Sequence, residues 1–204
     1  MLEILKTVRV LPVIEIDNAD DAVPLAEALV AGGVTVFEFT MRTPAALDAL
    51  KIAKKAVSQA TIGMGTVCNR EQGYSAIDAG ADFLVTPGTT LGLLDLATSI
   101  NEPVLMGAAT PSDVMAIRDR DITLMKFFPA VPAGGRAYLK AFAGPFPDVT
   151  FCPTGGIGRD DVDAFLALPN VVCVGGSWVA PRTAIKAKDW AAITANAKFA
   201  SGQQ

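Results

Sequence analysis

The sequence predicts an α/β protein whose single domain, residues 1–204, is a (β/α)8 TIM barrel. Two observations carry this. Short β-prone apolar runs alternate with segments of helical period, eight times over and with no long linker, and strand-then-helix repetition is the pattern of a parallel sheet with right-handed crossovers. The eight runs are also evenly spaced, which favours a sheet closed on itself over its main rival, an open doubly wound sheet. A length of 204 residues suits one domain, and 51% hydrophobic content with mean hydropathy +0.39 supplies a large core.

The strands are expected at Val8 to Ile16, Thr35 to Met41, Thr61 to Val67, Phe83 to Pro87, Val104 to Thr110, Leu124 to Ala130, Thr150 to Ile157 and Val171 to Trp178. Between them, Thr43-Pro44 and Thr110-Pro111 read as an N-cap hydroxyl before a proline at the first helical position, and Gly32-Gly33 and Gly80 as helix ends. In the second helix Leu47, Leu50, Ile52-Ala53 and Val57 form the apolar stripe, with Lys51, Lys54 and Lys55 toward water. Arg118 to Asp121 reads as an exposed loop. Tyr74 and Tyr138 fall in helical segments and read as packing residues. A short helix over Met1 to Thr7 is expected to plug the barrel bottom, and Ser201 to Gln204 to form a frayed tail.

Composition excludes several functions. A net charge of -4 and a pI near 4.8 argue against nucleic acid or an anionic membrane as partner, since both select clustered Lys and Arg. No apolar run approaches the ~20 residues of a membrane helix. The amino terminus carries Glu3 and no small-residue cleavage site, so it does not read as a secretory signal, and a soluble cytoplasmic protein is expected. Cys68, Cys152 and Cys173 form no CxxC pair and read as reduced, small core residues. Histidine is absent, which removes Ser-His-Asp and Cys-His catalysis and most imidazole metal sites. Acid-base chemistry falls to Glu, Asp, Lys or Tyr.

Against that background Lys126 stands out, in the middle of the apolar run Ile122 to Ala130. An unpaired ammonium in such a strand loses several kcal/mol of hydration. The plain reading is a lysine that snorkels from a strand end or closes a structural ion pair, and for an arbitrary strand lysine that is the commoner case. The other reading is a desolvated amine that attacks a carbonyl to form a Schiff base. Expected strand two, Val36-Phe37-Glu38-Phe39-Thr40-Met41-Arg42, bears on the choice. Alternation places Glu38, Thr40 and Arg42 on one face and the phenylalanines on the other. Phenylalanine belongs under the helices, so Glu38 points inward. It is either half of a structural pair with Arg42 or Lys126 or a general base tuned by burial beside a positive charge. A lysine on another strand of the same barrel favours the second.

Glycine concentrates at two further strand ends, Thr154-Gly155-Gly156-Ile157-Gly158 and Gly175-Gly176-Ser177-Trp178. One Gly-Gly is usually just a turn. Two, after strands seven and eight, match the phosphate cup that many such barrels carry there, built from backbone N–H groups. Ser177 adds a hydroxyl. Thr66, Pro87 and Thr110 also lie at strand ends, and Thr66 and Thr154 are the first choices to line the mouth. On residues alone two rivals stay open: a phosphate-binding barrel isomerase or synthase that works without an imine, and a non-catalytic phosphosugar-binding barrel. Lys126 argues against the first, Glu38 against the second.

The motifs PVI (Pro12 to Ile14), AVPLAEALVAGG (Ala22 to Gly33), FEFTMRT (Phe37 to Thr43), GTV (Gly65 to Val67), TPG (Thr86 to Gly88), KFFPA (Lys126 to Ala130), FCPTGGI (Phe151 to Ile157) and GGSW (Gly175 to Trp178) resemble, over nearly the whole chain, the class I 2-keto-3-deoxy-6-phosphogluconate (KDPG) and 4-hydroxy-2-oxoglutarate (KHG) aldolase family. The resemblance implies that Lys126 forms the Schiff base and Glu38 handles protons. It further implies that Arg42 and Thr66 hold the substrate carboxylate, that Pro87 and Thr154 line the pocket, and that Gly155, Gly156, Gly176 and Ser177 hold the phosphate. The implied substrate is a phosphorylated 2-keto acid of the Entner-Doudoroff pathway, cleaved to pyruvate and glyceraldehyde 3-phosphate, with 4-hydroxy-2-oxoglutarate as a second substrate. No cofactor or metal is implied, because the imine is the electron sink, and the implied assembly is a homotrimer. One departure is visible: Met106-Gly107 stands where the family usually has a proline-glycine pair, which bears on the pocket near strand five.

Overall fold

In the computed structural model, which describes residues 1–203, eight strands form an inner wall. They are β1 (Val10–Ile14), β2 (Val36–Thr40), β3 (Thr61–Gly65), β4 (Leu84–Val85), β5 (Val104–Ala108), β6 (Leu124–Phe127), β7 (Thr150–Pro153) and β8 (Val174–Gly176). They pair in parallel in the order β7-β6-β5-β4-β3-β2-β1-β8, and two isolated bridges, Phe151 to Val171 and Thr154 to Gly175, join the outer pair β7 and β8. The sheet therefore closes into a barrel, as the even spacing predicts. The strands are shorter than the apolar runs that announce them. Of the run Phe83 to Pro87 only Leu84–Val85 form the regular strand, although the Phe83 carbonyl accepts the Met64 N–H and the Thr86 N–H donates to the Leu105 carbonyl on the neighbouring strands.

Around the barrel lie α2 (Ala22–Ala31), α3 (Ala46–Ala56), α4 (Arg70–Asp78), α5 (Leu91–Ser99), α6 (Pro111–Arg118), α7 (Gly135–Phe142) and α8 (Val162–Leu166), with α9 (Arg182–Lys186) and α10 (Trp190–Ser201) after β8. A short α1 (Leu2–Leu5) precedes β1. Strand alternation sorts the core into two populations. Phe37, Phe39, Met64, Met106, Met125 and Phe127 face the helices. Leu11, Val36, Phe83, Val85, Leu105, Leu124, Cys152 and Cys173 face the barrel axis, where Leu5 of α1 joins them. The lower half of the barrel is thus filled with apolar side chains and plugged from below. Two residues further along seven of the eight strands, the same inward face presents Val13, Glu38, Gly65, Gly107, Lys126, Thr154 and Gly175.

Several local details differ from expectation. Thr110 forms a full capping box with Asp113, but Thr43 does not cap α3; its hydroxyl donates instead to the Ile16 carbonyl, and α3 starts without a side-chain cap. Gly33 and Gly80 end their helices at φ +82° and +94°, as glycine permits. Lys54 turns from water to Asp82, with Nζ 2.7 Å from both carboxylate oxygens, and Asp82 also accepts the Ile62 N–H. Arg118 and Arg120 are tied to Asp148 and Asp95. Tyr138 packs on Phe127 and Phe142, whereas Tyr74 is exposed and held by Arg70. Cys152 and Cys173 are core residues; Cys68 is exposed. At the carboxyl end Gly202 closes α10 at φ +80° and the Gln203 N–H bonds the Lys198 carbonyl at 3.0 Å, so the described part of the expected frayed tail is tied down. Gln204 lies outside the described residues.

Gly63 shows how tightly the axis is packed, since a Cβ there would sit 2.2 Å from the Phe83 ring. Gly63→Ala is expected to cost about 1–3 kcal/mol in denaturant unfolding, as overpacked cores do. Adding Phe83→Leu should return part of that loss.

Candidate active site

Lys126 is the third residue of β6, between Met125 and Phe127, which face the helices, so its side chain points up the axis. It is 3% exposed, and Nζ lies 3.9 Å from Glu38 Oε1 and 5.0 Å from the centre of the Phe128 ring. Glu38, central in β2, is 1% exposed, and neither carboxylate oxygen has a hydrogen-bond partner among the described residues. At 3.9 Å the two charges attract without a hydrogen bond. Burial raises the Glu38 pKa above its ordinary 4.5, opposed by the nearby charges of Lys126 and Arg42. Space for the carboxylate comes from Gly65, where a Cβ would stand 2.0 Å from Oε2. Here lie a buried amine and a buried acid, adjacent, and the acid's oxygens are without hydrogen-bond partners among the described residues.

Arg42 does not pair with Glu38. It lies two residues beyond β2, half exposed, where Nε donates to Thr66 Oγ1 at 3.1 Å and Nη1 lies 4.0 Å from Glu15 Oε2. Thr66 follows β3 at φ +60°, a conformation rare for a β-branched residue. Such backbones cost of order 1–3 kcal/mol and cluster at functional sites. The turn aims the Thr66 hydroxyl at Arg42.

A cleft beside this group is lined by Arg42, Phe128, Thr154, Gly155, Gly156 and Ser177. Gly155 and Gly156 have φ of +104° and +81°, and among the described residues their N–H groups have no backbone acceptor. Gly175 also lines the cleft, and a Cβ on it would meet Thr154 Oγ1 at 2.2 Å. Gly176 is not in the lining of this cleft; a Cβ on it would meet Trp178 Nε1 at 2.8 Å and Val10 Cγ1 at 3.0 Å. Pro87 is half-buried against Gly107, where a Cβ would come within 2.4 Å of its carbonyl carbon, and it does not line this cleft. Thr110 is occupied as a helix cap. Met106 points into the helix-facing core, so the departure at strand five does not reach the pocket. The sequence reading missed Phe128, two residues beyond Lys126, and Glu15 and Arg182, which no local pattern marks; of the Gly175-Gly176 pair it assigned a role only to Gly176. Among the described residues no group of three His, Cys, Asp or Glu is placed to hold a metal ion, and no helix is long and apolar enough to cross a membrane.

Comparison with known proteins shows the family of the chain. The family model for KDPG and KHG aldolase matches residues 1–196. The chain is 47% identical to the 2-dehydro-3-deoxy-phosphogluconate aldolase of Pseudoalteromonas atlantica, over 94% of this chain and 89% of that one. It is 46% identical to the KHG/KDPG aldolase of Escherichia coli K12, over 97% and 92%. The chain belongs to the KDPG and KHG aldolase family. The solved KDPG aldolase of Legionella pneumophila, in which pyruvate is captured as a covalent carbinolamine, matches with TM-score 0.95 and 43% identity, covering 98% of this chain and 97% of that one. In this member of the family Phe128 and Arg42 join the two groups of residues: the Phe128 ring lies 5.0 Å from Lys126 Nζ, and both side chains line the glycine-lined cleft.

The raised Glu38 pKa gives a stability prediction. The folded state holds the Glu38 proton more tightly than the unfolded state, so stability attributable to this carboxyl is complete below about pH 4.5 and is lost as pH rises through the folded pKa. Glu38→Gln, which cannot ionise, should match the wild type in thermal unfolding at pH 4 and exceed it at pH 7. A variant less stable at pH 7 than at pH 4, relative to wild type, would contradict the assigned direction.

Proposed function

We propose that this chain is a class I aldolase, an aldehyde-lyase that cleaves 2-keto-3-deoxy-6-phosphogluconate to pyruvate and glyceraldehyde 3-phosphate, and that it also acts on 4-hydroxy-2-oxoglutarate. The observation that carries this reading is the buried Lys126 amine 3.9 Å from a buried carboxyl that makes no hydrogen bond among the described residues, beside a cleft lined by Arg42, Gly155 and Gly156.

Lys126 adds to the C2 carbonyl. The Glu38 carboxyl, kept protonated to higher pH by burial, gives its proton to the departing hydroxyl, so water leaves and an iminium ion remains. Glu38, now ionised, takes the proton of the C4 hydroxyl directly or through water. The C4 oxygen becomes the aldehyde carbonyl, the C3–C4 bond breaks, and its electron pair moves through C3 and C2 to the iminium nitrogen, leaving an enamine. Protonation at C3 and addition of water then release pyruvate and free Lys126. Arg42, oriented by Thr66, binds the substrate carboxylate, and the Gly155 and Gly156 amides with Ser177 bind the phosphate. Held at both ends, the substrate presents its scissile bond to Glu38.

We place the enzyme in the cytoplasm as a homotrimer. Exposed apolar side chains on three successive helices, Tyr74, Leu91 and Met115, supply surface for such contacts; sedimentation of the intact chain tests the assembly.

Borohydride reduction in the presence of pyruvate should add one pyruvyl group to the peptide carrying Lys126, read by mass spectrometry. Lys126→Arg should give no adduct. Glu38→Gln should slow cleavage by roughly 10²–10⁴-fold, the usual share of general acid-base catalysis. No adduct on the folded wild-type chain would sink the reading.

A further inference from the structure

Glu15, directly after β1, lies between two arginines. Its Oε1 accepts from Arg182 Nη1, while Oε2 stays 4.0 Å from Arg42 Nη1, beyond hydrogen-bond reach. Arg182 is itself fixed: Nε donates to Asp17 Oδ2 at 2.8 Å, Nη2 donates to Asp17 Oδ1, and Lys186 Nζ lies 3.2 Å from the same carboxylate. Among the described residues the only side-chain hydrogen bond of Arg42 is the one from Nε to Thr66, which leaves its Nη groups unbonded. Glu15, Arg42, Ser177 and Arg182 line one cleft, which shares Arg42 and Ser177 with the glycine-lined cleft beside it.

From this arrangement we infer that Arg182 is a positioning residue that acts through Glu15 to keep the Arg42 guanidinium free for the substrate carboxylate. The inference rests on the aldolase reading above. The planar fork on Asp17 fixes the Arg182 guanidinium, and its Nη1 holds one Glu15 oxygen. Glu15 is thereby drawn away from the fork of Arg42 that an incoming carboxylate needs. Without Arg182, Glu15 has one cation in reach, Arg42, and becomes an internal competitor for it. The anchoring carboxylates follow β1 and the arginine follows β8, so the first and last strands of the barrel jointly set the charge of the carboxylate site.

The test is the pyruvate dependence of borohydride trapping on the intact chain. Arg182→Met keeps the apolar stem and leaves Lys186 on Asp17. It should raise the half-saturating pyruvate concentration about two- to fivefold, the range of a partly exposed ion pair, with the limiting trapping rate unchanged. Glu15→Gln/Arg182→Met should return half-saturation toward the wild-type value, because the competitor is gone. Arg182→Lys, a point charge shared between Asp17 and Glu15, should fall between and serves if the methionine variant does not fold. A purely structural clamp gives the opposite order, with the double variant no better than the single. That order, or unchanged half-saturation in Arg182→Met, overturns the inference. Absence of an adduct in the wild type would instead remove the aldolase reading beneath it.

Discussion

The barrel is arranged around an electrostatic contact that most proteins avoid, a lysine and a glutamate shut away from water without a hydrogen bond between them. Burying either charge costs several kcal/mol, and their attraction offsets this only in part. The surrounding chain supports the pair by geometry. Two strands hold the groups at fixed separation, the apolar floor beneath them excludes water from below, and Gly65 leaves room for the carboxylate that any side chain would fill. Among the described residues no hydrogen-bond donor reaches the Glu38 oxygens, so a ligand that supplies one gains what the folded chain lacks.

The neighbouring features serve the same end at lower desolvation cost. Arg42 and the glycine amides lie nearer solvent, where charge is cheaper to hold, and they offer groups that bind anions without burial. Thr66 is the exception, since its left-handed backbone is a local strain maintained by the strands on either side. The proposed site thus grades from a dry floor at Lys126 and Glu38 to a wetter rim at Arg42 and Gly156.

Much of this was legible in the sequence, for reasons that can be named. Strand alternation placed Glu38 inward because phenylalanines flank it, and a lysine inside an apolar run has few places to go. The paired glycines after strands seven and eight pointed to the cleft, although Gly175 and not Gly176 lines it. What was not legible depends on distance along the chain. Glu15 and Arg182 are 167 residues apart and meet only because β8 closes beside β1. Thr43 carried a cap signature, but a carbonyl from the neighbouring loop took its hydroxyl. Lys54 looked solvent-facing on a helical wheel until Asp82, on the approach to another strand, came within 2.7 Å.

Each strand of the upper barrel alternates between chemistry and packing with a period of two, and Lys126 has core residues on both sides. A single inserted or deleted residue within β6 would therefore send the amine into the helix layer and bring Met125 or Phe127 to the axis. The surrounding βα loops carry no such phase. Over evolutionary time length changes should accumulate in loops such as that between β4 and α5, while β6 and β2 stay constant in length even where their side chains drift. In this fold the reactive position is inherited as a parity as much as a residue.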